Sequence, residues 1–135
     1  MKQKLFLALR FAFSFIFLWA FFDKVFGLGF ATAKEGAWIN GGSPTAGFLT
    51  HGTHGPLAGF FQGLAGVAVV DWLFMAGLLF VGATLLFNRY IKWGAAAGAL
   101  MMLLMWIAAF PPENNPFLDE HIIYALALLL LAVKK

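Results

Sequence analysis

PPENNPFLDEHIIYA, residues 111–125, is the stretch whose division into loop and helix decides the fold. It carries three of the six acidic residues, one of the three histidines and three of the five prolines, and it runs directly into the apolar segment 122–133. Proline stops a helix because its ring clashes with the preceding turn and it has no N–H to donate. At the first helical position neither defect matters, so Asn115-Pro116 predicts a helix start and a helix over residues 116–133. Asp119 and Glu120 then fall in its first turns, where the macrodipole favours negative charge. Ionisable groups at the mouth of so apolar a helix are costly, and they mark the first candidate site.

Upstream, Pro111-Pro112 closes an apolar run over residues 93–110. That run contains Gly94-Ala-Ala-Ala-Gly98, a small-residue pattern that lets helices approach closely in lipid. It predicts packing within the bundle, with a homodimer face as the other use of the same stripe. A five-residue basic turn, 88–92, joins this run to another over 66–87, so the two are antiparallel neighbours. The first run, 5–22, reaches about 27 Å at 1.5 Å per residue, close to a hydrocarbon thickness of about 30 Å. It is longer than the apolar core of a signal peptide and Arg10 interrupts it, so a retained span is expected.

Composition agrees with four spans. Of 135 residues, 62% are hydrophobic and 11% charged, against about 25% charged in an ordinary soluble domain. Mean hydropathy is +0.86. The expected fold class is all-α, a single integral membrane four-helix domain with spans near 5–22, 66–87, 93–110 and 116–133. There are no cysteines, which excludes disulfides, thiolate metal sites and cysteine nucleophiles supplied by this chain. No basic run interleaved with aromatics points to nucleic acid. No phosphate-binding loop, dinucleotide fingerprint or Ser-His-Asp order stands in a suitable context.

Residues 25–66 depart from the pattern. They hold eleven of the fifteen glycines, yet Trp38, Ile39, Phe48, Leu49, Phe60 and Phe61 make them too apolar for a free loop. Ser43-Pro44 is a serine cap followed by proline and predicts a short interfacial helix over about 44–50. Irregular backbone at membrane depth survives only against protein or water, so this segment is expected to cap the bundle.

Charge sets the expected orientation. Lys2, Lys4, Arg10, Arg89, Lys92, Lys134 and Lys135 fall at one side, whereas Asp23, Glu35, Glu113, Asp119 and Glu120 fall at the other. The positive-inside rule then places both termini in the cytoplasm and the protein in a cell inner membrane.

At the acidic side, Phe117, His121, Tyr124 and Leu128 fall on one helical face if the fourth helix starts at 116. Reducing a quinone takes two electrons and two protons, so a quinone site needs an apolar slot with donors and acceptors for the carbonyl oxygens. Histidine titrates near neutrality and passes protons, and tyrosine can donate to a carbonyl. Asp119 falls on a different side of that helix and is expected to meet another helix or the Ser43 segment. Asp71, a turn or two inside the outer boundary, is a second acidic candidate and joins Asp119 and His121 in the expected site. The expected pocket is lined by these residues with Trp38, Ser43, Phe117 and Tyr124; the alternative is that the acids serve helix starts and the aromatics anchor the interface. His51-Gly-Thr-His54 with His121 would allow a three-histidine metal site, but the spacing is a weak signal and no metal is assigned.

Three stretches in this order resemble the DoxX family, including its DoxD-like branch. They are LRFAFSFIFLWAFFDKVFG from residue 9, WINGGSPTAGFL from residue 38 and NPFLDEHIIYALALLLLA from residue 115. The branch is associated with the membrane subunit of thiosulfate:quinone oxidoreductase. The resemblance implies quinone-linked membrane redox work connected to sulfur or thiol metabolism, and a site role for Lys24, which closes the first stretch's helix. With no cysteine in the chain, electrons would come through a protein partner. A non-enzymatic membrane scaffold or small-solute carrier is the alternative from another class.

Overall fold

In a medium without water every backbone polar group must find its partner inside the segment, which makes long apolar runs helical. The computed structural model describes residues 1–134. Its long helices are α1 (Lys2–Phe26), α3 (Ala68–Phe87), α4 (Ile91–Ala109) and α5 (Glu120–Val133), with a five-residue helix α2 (Ala58–Gln62) before α3. The described residues contain no strand. Three helices, α1, α3 and α4, are long and apolar enough to cross a membrane. The long helices carry large apolar side chains exposed on the outside of the bundle, among them Phe15, Leu73, Phe80, Leu100, Leu126 and Leu130. A soluble chain rarely leaves so continuous an apolar surface open. These are the marks of a membrane-embedded protein.

The helices pack in series, α1 on α3, α3 on α4 and α4 on α5. Phe13 of α1 meets Tyr124 of α5 edge-on at 5.7 Å, which brings the first and last together. The core is built from Phe13, Phe17, Met75, Leu78, Val81, Leu85, Met102 and Leu128. Ser14 donates to the Gly82 carbonyl at 2.9 Å where α1 crosses α3. The glycine pair of α4 faces inward: a Cβ on Gly94 would collide with the Thr84 hydroxyl, and one on Gly98 would sit 3.1 Å from both Val81 and Leu128. The small-residue stripe is therefore an internal seam and not a free dimer face.

Two elements differ from expectation. The fourth long helix begins at Glu120, four residues later than Pro116. Asn115 does cap, but it caps a turn: its Oδ1 accepts from the N–H groups of Phe117 at 2.9 Å and Leu118 at 2.6 Å. Asp119 takes over as the helix cap, accepting from the His121 N–H at 2.9 Å. The short helix expected over 44–50 is shifted by two residues: a turn at Pro44-Thr45 leads into helical backbone at Ala46-Gly47, which continues as one π-helical turn, Phe48–Gly52.

The glycine-rich segment folds back over the end of the bundle that carries Asp23 and Asp119. Asp23 is 1% exposed, and its carboxylate accepts from the N–H groups of Phe30, Ala31 and Thr32 at 3.2, 2.8 and 3.0 Å. Gly27 ends α1 in the left-handed region (φ 65°), and a Cβ there would press on Lys34 and Ala33. Gly55 (φ 81°) lies directly against the Phe110 carbonyl, and His54 Nε2 is 2.7 Å from the Pro111 carbonyl oxygen. The segment is thus fastened at both ends of its path.

Candidate functional site

The sequence-predicted residues separate into two groups. Asp71, in the first turn of α3, is 6% exposed and anchors the first group. Its Oδ1 accepts from the Thr45 hydroxyl at 2.6 Å and the Thr45 N–H at 3.2 Å. Ser43 Oγ lies 2.8 Å from both carboxylate oxygens, so its single proton serves either one. A carboxylate accepting several fixed donors is held in one orientation. What it holds in turn is the Ser43–Thr45 backbone, docked on the start of α3. Trp38 belongs to this neighbourhood, its ring edge-on to Trp72 at 4.8 Å.

The second group surrounds a cavity of about 470 Å³ at the same end of the bundle. Asp119 and His121 are on its wall with Glu113, Asn115, Glu120 and His54. His121 Nδ1 is 2.9 Å from Asp119 Oδ2, and the two side chains are 16% and 17% exposed. This pairing exists because Asp119 is the helix cap. Placed outside the helix, its carboxylate turns back over the first turn to take both the His121 N–H and the ring. The expectation that Asp119 would point away from His121 assumed a helix already running at 119, and it is corrected here. The Asp119 carboxylate holds the His121 ring in one orientation through Nδ1 and leaves Nε2 outside this contact.

Asp71, Ser43, Trp38, Phe117, Tyr124 and Lys24 do not line this cavity. Phe117 precedes the helix, so the continuous face from Phe117 to Leu128 does not form. Phe117 is 64% exposed, and its carbonyl accepts from Trp106 Nε1 at 2.7 Å. Tyr124 turns its ring towards Phe13, away from the cavity wall. Lys24 is half-buried one residue from the Asp23 carboxylate. The cavity that Asp119 and His121 line does not take in Asp71, whose hydrogen bonds go to Ser43 and Thr45.

Sequence reasoning grouped His54 with His121 only as part of a weak three-histidine metal set, and did not anticipate that Glu113 and Asn115 belong with the dyad. His54 comes from a segment 57 positions from its Pro111 partner, and no local pattern marks such a contact. Asn115 carried a signal that had two readings, helix cap or turn. Among the described residues no group of three or more His, Cys, Asp or Glu is arranged to hold a metal ion. Searches against protein-family models, curated proteins and solved structures find no match to this chain.

Proposed function

We propose that the chain is a four-span membrane subunit of a quinone-linked oxidoreductase system of the kind the DoxX resemblance implies, and that Asp119 and His121 form its proton relay. In this reading the 27–66 segment is an outer cap and the end carrying Lys2, Arg89 and Lys92 faces the cytoplasm of a cell inner membrane, as the positive-inside rule favours. The observation that carries it is the 2.9 Å contact between His121 Nδ1 and Asp119 on the wall of a polar cavity. An imidazole oriented by a carboxylate holds one proton and exchanges another through Nε2, which is the service a quinone oxygen needs as it is reduced. Electrons come from a partner protein, since the chain has no cysteine. Asp71 and Ser43 support the cap, and only the dyad meets the reacting group.

A scaffold without catalysis is favoured by one observation: Asp23 and Asp71 are both committed to holding loop backbone. The two readings part on one measurement. Decylubiquinone is titrated into the purified chain in mild detergent and tryptophan fluorescence is followed. The redox reading expects saturable binding that His121→Ala weakens at least about tenfold, a loss of about 1.4 kcal/mol. Equal binding by the two proteins, or none by either, leaves the scaffold.

A further inference from the structure

At the opposite end of the molecule a second cavity, of about 460 Å³, lies between the start of α1, the α3–α4 turn and the end of α5. Arg10, Lys92 and Lys134 are on its wall together with the amides of Gln3 and Asn88. Among the described residues no carboxylate side chain lines it. Arg10 Nε is buried and has no hydrogen-bond partner among the described residues. The Arg10 guanidinium stacks 4.8 Å from the Phe11 ring, and Lys134 Nζ lies 5.0 Å from the Phe6 ring. Aromatic faces therefore serve two of the three cations in place of acids.

A buried charged donor left unpaired is expensive, and three like charges around one space repel one another. An anion in the cavity relieves the repulsion and gives the Arg10 guanidinium a counter-charge. The donors outnumber what a carboxylate uses: a guanidinium fork, two ammonium groups and two side-chain amides. They match the several oxygens of a phosphate, to which arginine binds through paired N–H groups. The remaining wall is apolar, with Leu7, Ile91 and Leu131, and it adjoins the exposed apolar faces of the helices. We propose that this cavity is a phosphate-binding site, occupied by the headgroup of an anionic phospholipid or by free phosphate. A basic pocket between membrane helices is suited to an anionic headgroup. The site is at the other end from the Asp119–His121 dyad and stands whether or not the redox reading does.

The test uses the full chain in a non-ionic detergent. Native mass spectrometry follows adducts with dioleoylphosphatidylglycerol and, separately, with dioleoylphosphatidylcholine, while thermal unfolding is followed with inorganic phosphate at millimolar concentration. The expected result is one phosphatidylglycerol per chain, bound at least about tenfold more tightly than phosphatidylcholine. Arg10→Gln lowers that affinity about tenfold or more and Lys92→Gln about fivefold, whereas Lys4→Gln, outside the cavity, leaves it within about twofold. Phosphate that fails to stabilise the chain or displace the lipid assigns the site to a headgroup. Phosphate that stabilises the native chain and not the Arg10→Gln chain assigns it to the free anion. Lys92 is exposed, so its variant folds even if the Arg10 variant does not. Phosphatidylglycerol and phosphate binding that are both unchanged in Lys92→Gln and in Arg10→Lys, or equal retention of the two lipids, overturns the proposal.

Discussion

Asp71 and Asp119 are both acids at the start of a helix, and they differ in what surrounds them. Asp71 receives two hydroxyls and a backbone N–H from one short turn, all fixed, and it is closed off from solvent. Asp119 receives one N–H and one imidazole beside an open cavity. A carboxylate surrounded by fixed donors has nothing left to exchange, so it works as a fastener. A carboxylate paired with an imidazole at the edge of an open cavity is not closed off in this way. The same residue type at the same kind of helix position thus has two physical roles, and local donors decide which.

That contrast is broken most directly at Asp71. Replacing it by alanine strands the Ser43 and Thr45 donors, at about 1–3 kcal/mol for each that stays buried. The expected loss of stability is about 3 kcal/mol, read as a lowered thermal midpoint in detergent, with decylubiquinone affinity of the chain that remains folded little changed. A parallel loss of ligand binding at full stability would mean that Asp71 does more than fasten. His121→Ala is the mirror image. Proton transfer in a reconstituted quinone-reducing system should fall by about 100-fold, within the range of general acid–base catalysis, with the melting temperature nearly unmoved.

Smaller effects sharpen the same division. Asp119→Asn keeps a side-chain oxygen for the cap and removes the charge that orients the ring. Turnover should drop by about tenfold or more, as for other groups that orient a working histidine, while the helix start loses no more than about 0.5 kcal/mol. Ser43→Ala removes one of the donors to Asp71. Its cost of about 1 kcal/mol, read by thermal unfolding, should vanish in the Asp71→Ala background, since the partner is already gone.

Much of this fold is legible in the chain because lipid solvation imposes simple rules. Runs of apolar residues closed by Asp23-Lys24, Asn88-Arg89 and Pro111-Pro112 mark α1, α3 and α4 to within a few residues. Gly94 and Gly98 identify a close helix contact, though only the position of Thr84 says that it lies inside the bundle. The start of α5 is less legible, because Asn115-Pro116 is compatible with a helix cap and with a turn. Hydrogen bonds to Phe117 and Leu118 select the turn, and that choice changes the site by freeing Asp119 to reach His121. Contacts across long separations, such as Asp71 to Ser43 or His54 to Pro111, arise from the folded path of residues 27–66. Periodicity carries no record of that path.

The late start of α5 also shapes how the molecule sits among lipids. Its 14 residues rise only about 21 Å, so it stops roughly 7 Å short of the 19-residue α4 beside it. A bilayer about 30 Å thick meets this short flank by thinning locally or by letting headgroups and water sink towards the shorter helix. In the relay proposed for His121, protons from the aqueous phase would have a shorter route than the length of the neighbouring helices implies, and thicker membranes should lengthen it.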